Sequence, residues 1–215
     1  MELPIYNDNL KSSGSWASIA AEMRVQWAET KAASLPQVRA AQVASFAKHA
    51  EAANVQAAAE LITTWASESN ATFNLERLLA LQRALTGDDA LRTKEPKPVN
   101  AVHDPTPAVL LSRFLDNAFD WFSTEGFGEL HAIEQAAVVY LRLLDLYPFP
   151  TANEATALLA ASFYVERAGH PPLFIHGDDI TTARFNGVTE RAFQLLTQPL
   201  VEFFVEQLQR TVTLS

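Results

Sequence analysis

Cysteine is missing from all 215 residues. That excludes a disulfide framework, a thiolate zinc site and a cysteine nucleophile, and it suits a reducing compartment. Glycine is scarce, at 7 residues, so hairpin-rich architecture is disfavoured and long helices are favoured. No Walker loop, dinucleotide fingerprint, Gly-x-Ser-x-Gly or HExxH occurs. Positive charge is also short: 16 Lys and Arg face 25 Asp and Glu, for a net charge of -9. The basic residues are scattered and a phosphate backbone would be repelled, so nucleic acid is not an expected partner. Long apolar runs are absent too. "AAVVYL" is far shorter than a membrane span, and the amino terminus "MELPIYNDNLKSSGSW" has no basic n-region leading into an apolar stretch. A soluble, cytoplasmic protein with no membrane partner is expected.

What the chain does hold is core material: 48% apolar against 19% charged residues. The apolar periods are helical. Trp16, Ile19, Met23 and Trp27 fall at spacings of three and four, one face of a helix. Ser34 then reads as an N-cap with Pro36 in the first turn of a second helix running towards Trp65, with a break near Ala53–Asn54. "NLERLLALQRALTGDD" continues as a helix that stops at Gly87, suited to a left-handed C-terminal residue. "RTKEPKPVNAVHDPTP", residues 92–107, carries four prolines and no helical period. It reads as a loop in which only "PVNAV" could form a short strand or hairpin. Helical periods resume at "AVLLSRFLDNAFDWFSTEG" and at "HAIEQAAVVYLRLLDLY", where Ile133, Ala137, Tyr140, Leu141 and Leu144 share a face. "ATALLAASFYV" is apolar nearly all round, the mark of a helix buried at the centre of a bundle. Thr197 and Pro199 open a last amphipathic helix. The reading is an all-α bundle with one proline-rich excursion.

Between the last two apolar segments before residue 160 stands "DLYPFPTANEATAL", residues 145–158. "TANE" fits the capping box, Ser/Thr-x-x-Glu, with Thr151 bonding the Glu154 N–H and the Glu154 carboxylate returning to Thr151. Phe149 reads as a core anchor and Asn153 as a maker of local backbone contacts. The five histidines, His49, His103, His131, His170 and His176, show no paired ligand spacing, so no metal is expected. His103 and His131 read as exposed side chains. His176-Gly177-Asp178-Asp179 reads as a polar turn before a helix start.

From about Leu61 to Leu208 the chain resembles the Fic (filamentation induced by cAMP)/Doc-like family of AMP-transferring proteins. The family's active loop runs His-Pro-Phe-x-Asp/Glu-Gly/Ala-Asn-Gly-Arg-x-x-Arg. Pro148, Phe149, Ala152 and Asn153 match it. Tyr147 stands at the histidine, Thr151 at the acidic residue, Glu154 at the second glycine, and Ala155 and Leu158 at the two arginines. The resemblance implies a Fic-like helical bundle around a central buried helix, with a short β-hairpin flap near residues 97–104 (Val99, Asn100, Ala101, Val102 and His103). It also implies residues 1–60 as an N-terminal helical extension and 61–215 as the Fic-like domain, forming one compact unit. "TWASES" places Thr64 and Glu68 at the Ser/Thr-x-x-x-Glu spacing of the family's inhibitory helix, whose glutamate pairs with the second motif arginine. Here that position is Leu158.

In the family the histidine is a general base, the acidic residue holds Mg²⁺, and the arginines neutralise the triphosphate. Tyrosine, with a reference pKa of about 10, is protonated at neutral pH and a poor base. Threonine cannot replace a carboxylate for a hard cation, and alanine and leucine stabilise no phosphoryl charge. The capping box would further satisfy a helix end that relatives leave free for phosphate. The resemblance therefore implies a degenerate member without AMP transfer, with no cofactor, acting on an unknown protein or peptide at the flap and cleft. The flap's strand edge suits β-augmentation. Two alternatives stay open: a nucleotidyl- or phosphoryl-transferring enzyme of altered chemistry using Tyr147 and Asn153 with ATP and Mg²⁺, and a bundle that serves assembly alone, including with a second copy of itself.

Overall fold

Two helices carry so little polar surface that they must sit inside the others. Helices α6 (Ala132–Leu146) and α7 (Asn153–Arg167) bury nearly every side chain and pack most extensively against each other. The computed structural model describes Tyr6, Leu10 and residues 16–46, 54–96 and 102–214. Around the central pair stand α1 (Trp16–Ser45), α2 (Val55–Ser67), α3 (Leu75–Thr86), α4 (Leu111–Phe122), the single turn α5 (Glu125–Gly128), α8 (Asp179–Phe193) and α9 (Gln198–Thr213). A short 3₁₀ turn, Ala108–Leu110, leads into α4. Helices α2 and α3 cover α7; α9 covers α6 and in turn carries α1 and α8. The all-helical reading holds, and the expected face of α6 is buried throughout.

The caps explain several boundaries. Asn74 accepts from the Arg77 N–H to open α3, and Gly87, at φ 85°, closes it with its N–H on the Arg83 carbonyl. Helix α6 opens on a capping box in which the His131 ring accepts from the Ile133 N–H and the Glu134 carboxylate accepts from the His131 N–H. Asp178 caps α8 by accepting from the Thr181 N–H at 2.6 Å, so the polar turn before a helix start is present.

The helix start drawn at Ser34 differs from the sequence reading. Ser34 is not a cap: it is buried inside α1, which runs unbroken through Pro36. Alanine-rich flanks on both sides sustain the helix across the one hydrogen bond that proline forfeits. Helix α2 begins after Asn54, and Ala53, the other residue of the expected break, lies outside the described residues. The boundary drawn at 60/61 falls within α2, and α1 packs on α9. Thr197 stands at the N-cap position of α9 with Pro199 in the first turn, as read, but its hydroxyl donates to the Tyr6 carbonyl at 2.6 Å and makes no cap bond.

The flap expected near 97–104 has no support as a hairpin. Residues 97–101, including Val99, Asn100 and Ala101, lie outside the described residues, and among the described residues no strand forms.

Candidate functional site

The loop between α6 and α7 is built by backbone geometry at both ends. Tyr147 ends α6 in the left-handed region (φ 47°, ψ 59°), its N–H bonded to the Leu143 carbonyl at 2.9 Å. Ala152 precedes α7 in the same region (φ 59°, ψ 21°). Between them Pro148 and Phe149 turn inward, Phe149 fully buried, while Pro150 and Thr151 face solvent. Asn153, itself buried, accepts from the Phe149 N–H at 2.9 Å and donates to the Phe149 carbonyl at 2.8 Å. Phe149 is thus the core anchor and Asn153 the local backbone brace that their residue types suggest.

The Thr151–Glu154 capping box does not form. Ala152, not Thr151, is the N-cap of α7, and no side chain caps it. With Ala152 left-handed, the helix starts one residue later than the "TANE" pattern requires. Thr151 is exposed, and its carbonyl accepts from Gln82 Nε2 at 3.2 Å. Gln82 also accepts from the Thr156 hydroxyl at 2.6 Å, so one buried carboxamide from α3 fixes both sides of the helix start.

Glu154 lines a small cavity of about 200 Å³ with Leu158, Phe46, Thr182, Phe185 and Asn186. Ligand pockets for drug-sized molecules run from roughly 300 Å³ upwards. Its described lining holds one carboxylate and no Lys or Arg. Glu154 also acts electrostatically on the fully buried Tyr140 phenol, whose pKa is raised first by burial and then by that carboxylate. Ala155 and Leu158, at the two arginine positions of the Fic loop, are buried and apolar.

A second polar layer lies behind the loop, and the sequence reading missed it. Arg92, buried at the start of the proline-rich segment, donates to the carbonyls of Tyr147 (2.6 Å), Leu146 (3.1 Å), Lys94 (3.1 Å) and Thr106. Its N–H bonds the Pro148 carbonyl at 2.9 Å. Burial lowers its pKa, and the nearby Glu95 carboxylate and Tyr147 phenol oppose that. Asp145 forms an ion pair with Arg142 at 2.9 Å and lies 3.2 Å from His103 Nε2, while its carbonyl accepts from the Thr106 N–H at 2.8 Å. Both stems of the segment that leaves at Arg92 and returns at Thr106 are therefore tied to the last turn of α6.

The histidines expected on the surface are not there. His103 stacks on Phe193, ring centroids 3.9 Å apart, with its side chain 13% exposed. His131 is half-buried as the cap of α6, edge-on to Trp16 at 5.0 Å. Thr64 and Glu68 are exposed at the end of α2; Thr64 bonds the Glu60 carbonyl and Glu68 pairs with Arg77. Among the described residues, no cluster of three or more His, Asp or Glu could hold a metal ion, and no helix is long and apolar enough to cross a membrane.

The Fic/DOC family model matches residues 72–165, which run from the approach to α3 almost to the end of α7. Among curated proteins, the chain is 28% identical over 107 residues to a protein adenylyltransferase Fic of Drosophila willistoni, covering 50% of this chain and 20% of that protein. It is 24% identical over 174 residues to one of Culex quinquefasciatus, covering 79% and 34%. The chain thus spans only a fifth to a third of these relatives. Among solved structures, Fic-1 (residues 134–508) of C. elegans superposes with a TM-score of 0.65 at 20% identity, over 74% of this chain and 48% of that one. A Fic family protein of Desulfovibrio desulfuricans G20 superposes with a TM-score of 0.67 at 14% identity, over 99% of this chain and 74% of that one. The family match covers the segment that builds the Tyr147–Leu158 loop, and over residues 72–165 the chain is similar to the Fic/DOC family, whose solved members share its fold.

Proposed function

We propose that this protein keeps the Fic scaffold without Fic chemistry, serving as a non-catalytic binding or regulatory protein. One observation carries the reading. The positions of the loop that face phosphate in the family hold Ala155 and Leu158, both buried, beside a cavity of about 200 Å³ whose described lining carries the Glu154 carboxylate and no cation. A triphosphate would meet a carboxylate and two apolar side chains where phosphoryl transfer calls for positive charge. At the other end of the loop Tyr147 is a poor base, and Thr151 offers Mg²⁺ a neutral hydroxyl.

A transferase of altered chemistry using Tyr147 and Asn153 has less support. Arg92 is the cation beside Tyr147 that such chemistry would want, but its guanidinium is spent on the carbonyls of Lys94, Thr106, Leu146 and Tyr147. The Asn153 carboxamide is likewise committed at both ends to Phe149.

Calorimetry with ATP and Mg²⁺, followed by incubation with labelled ATP and candidate hydroxyl targets, tests the reading. The natural chain should give neither micromolar binding nor label transfer. Combined Glu154→Gly, Ala155→Arg and Leu158→Arg changes should be needed before Tyr147→His or Thr151→Asp has any effect. Micromolar ATP binding by the natural chain sinks the proposal. A partner at the segment between Arg92 and Thr106 is the accompanying expectation, to be sought by crosslinking from Val102.

A further inference from the structure

A cleft far in sequence from the motif loop lies between α1 and α2 and encloses about 880 Å³. Its α1 wall is aliphatic, with Leu35, Pro36, Ala40 and Val43, and Thr63 and Thr64 line it from α2. Pocket volumes of roughly 300–1,000 Å³ with a mostly apolar wall and a few fixed polar groups are those of small-molecule sites. The fixed polar group here is Arg39.

Arg39 is held by a relay of hydroxyls. The Thr63 hydroxyl has one proton, given to Glu166 Oε2 at 2.6 Å, so it accepts from Arg39 at 2.5 Å. The Ser162 hydroxyl donates to the other carboxylate oxygen of Glu166 at 2.7 Å and accepts from the Leu173 N–H at 2.9 Å. Both Glu166 oxygens are therefore engaged by hydroxyls, and the guanidinium stands one hydroxyl away from its countercharge. Gln42 Oε1 takes one further N–H of Arg39. A guanidinium has five N–H donors. Two are used, and the rest bond to no described residue. Burial lowers the Arg39 pKa although Glu166 and Glu60 oppose it, as fits a cation short of an acceptor.

We propose that the α1–α2 cleft is a second ligand site, which takes a small aliphatic monocarboxylate with its carboxylate on Arg39 and its tail against Leu35, Pro36 and Val43. The guanidinium fork matches a carboxylate in geometry and charge. Glu60, exposed on the α2 side and held by Gln56 at 3.0 Å, is the one anion among the described lining residues and opposes the ligand.

Isothermal calorimetry with octanoate, octylamine and octanol tests this on the natural chain and three variants. Octanoate should bind, and octylamine and octanol should bind at least about tenfold more weakly, the loss of one charge-assisted contact. Arg39→Met should weaken octanoate by a similar factor, and Glu60→Gln should tighten it. Arg39→Met also disturbs the Thr63–Glu166 relay, so Ala40→Trp supplies an independent arm: Ala40 is exposed, the fold should survive by far-UV circular dichroism, and the indole should fill the cleft and abolish binding. Absence of octanoate binding to the natural chain overturns the proposal, as does equal binding of octanol, or octanoate binding unchanged by Ala40→Trp. The proposal does not depend on whether the motif loop binds ATP.

Discussion

The carboxamide of Asn153 closes a ring with the backbone of Phe149, accepting its N–H at 2.9 Å and donating to its C=O at 2.8 Å. Both residues are buried, so each lost bond leaves an unsatisfied backbone group. Asn153→Ala should lower the urea unfolding free energy by about 2–4 kcal/mol, from two orphaned groups. Asn153→Asp should cost at least as much at neutral pH, because its second oxygen meets the Phe149 carbonyl. It should regain stability on acidification, as a carboxyl proton takes the place of the amide hydrogen. An Asp variant no more stable at pH 4 than at pH 7, relative to the natural chain, would refute this.

Arg92 should matter through its shape as well as its charge. It reaches the carbonyls of Lys94, Thr106, Leu146 and Tyr147 from a buried position. Lysine has three donors on one point and cannot span that set. Arg92→Lys should therefore cost about 2–3 kcal/mol, nearly as much as Arg92→Met. Hydrogen exchange at the Thr106 and Phe149 amides should accelerate in both variants. Full protection of Thr106 in Arg92→Lys would show that the stems are held by something else.

Much of this scaffold is legible in the sequence, for reasons that differ by element. Helices α6 and α7 declare themselves because burial on all sides leaves few polar positions, and Gly87 because only glycine takes φ 85° without strain. Phe149 and Asn153 lie four residues apart, within reach of local pattern. Arg92 is not legible: its acceptors are backbone carbonyls up to 55 residues away, which leave no spacing to read. Thr151 misleads because the left-handed Ala152 shifts the helix start by one residue, and backbone conformation at alanine has no sequence signal. Pro36 misleads because a proline tolerated inside a long alanine-rich helix looks like one that begins it.

Acid should destabilise the fold through two histidines, His170 buried and His176 half-buried. Burial, reinforced by His131 and Arg24, lowers the pKa of His170 to about 4; burial and Arg210 do the same for His176, against a bond from the Gln207 side. A histidine depressed in the folded state favours folding above its unfolded value of about 6.5, and that contribution is lost as pH falls towards 4. For His170 the full loss is about 3 kcal/mol, and for the less buried His176 it is smaller. Glu134 and Glu166, raised by burial, act in the opposite sense. They are unchanged in a His170→Gln variant, so they cancel in the comparison. The unfolding free energy of that variant should fall less than that of the natural chain between pH 6.5 and 4. Parallel curves would show that His170 is not a source of the acid sensitivity.

Leu195 offers the opposite test, a substitution that should stabilise. It follows α8 with φ 67°, its N–H on the Ala192 carbonyl at 2.9 Å, and the next N–H, of Leu196, returns to the Arg191 carbonyl at 3.0 Å. That is the paired-bond helix ending whose left-handed residue is usually glycine. A leucine held there pays about 1–2 kcal/mol of steric cost. The residue is 42% exposed, so only part of a leucine's packing is lost with it. Glycine brings back roughly 0.4–1 kcal/mol of unfolded-chain entropy, which leaves a net gain of about 0.5–1 kcal/mol for Leu195→Gly. Leu196→Gly is the control: it has no left-handed strain to relieve, so it should be neutral or destabilising. A thermal midpoint that rises for Leu195→Gly and not for Leu196→Gly is the expected result, and a fall for Leu195→Gly would place the leucine side chain in a contact worth more than the strain.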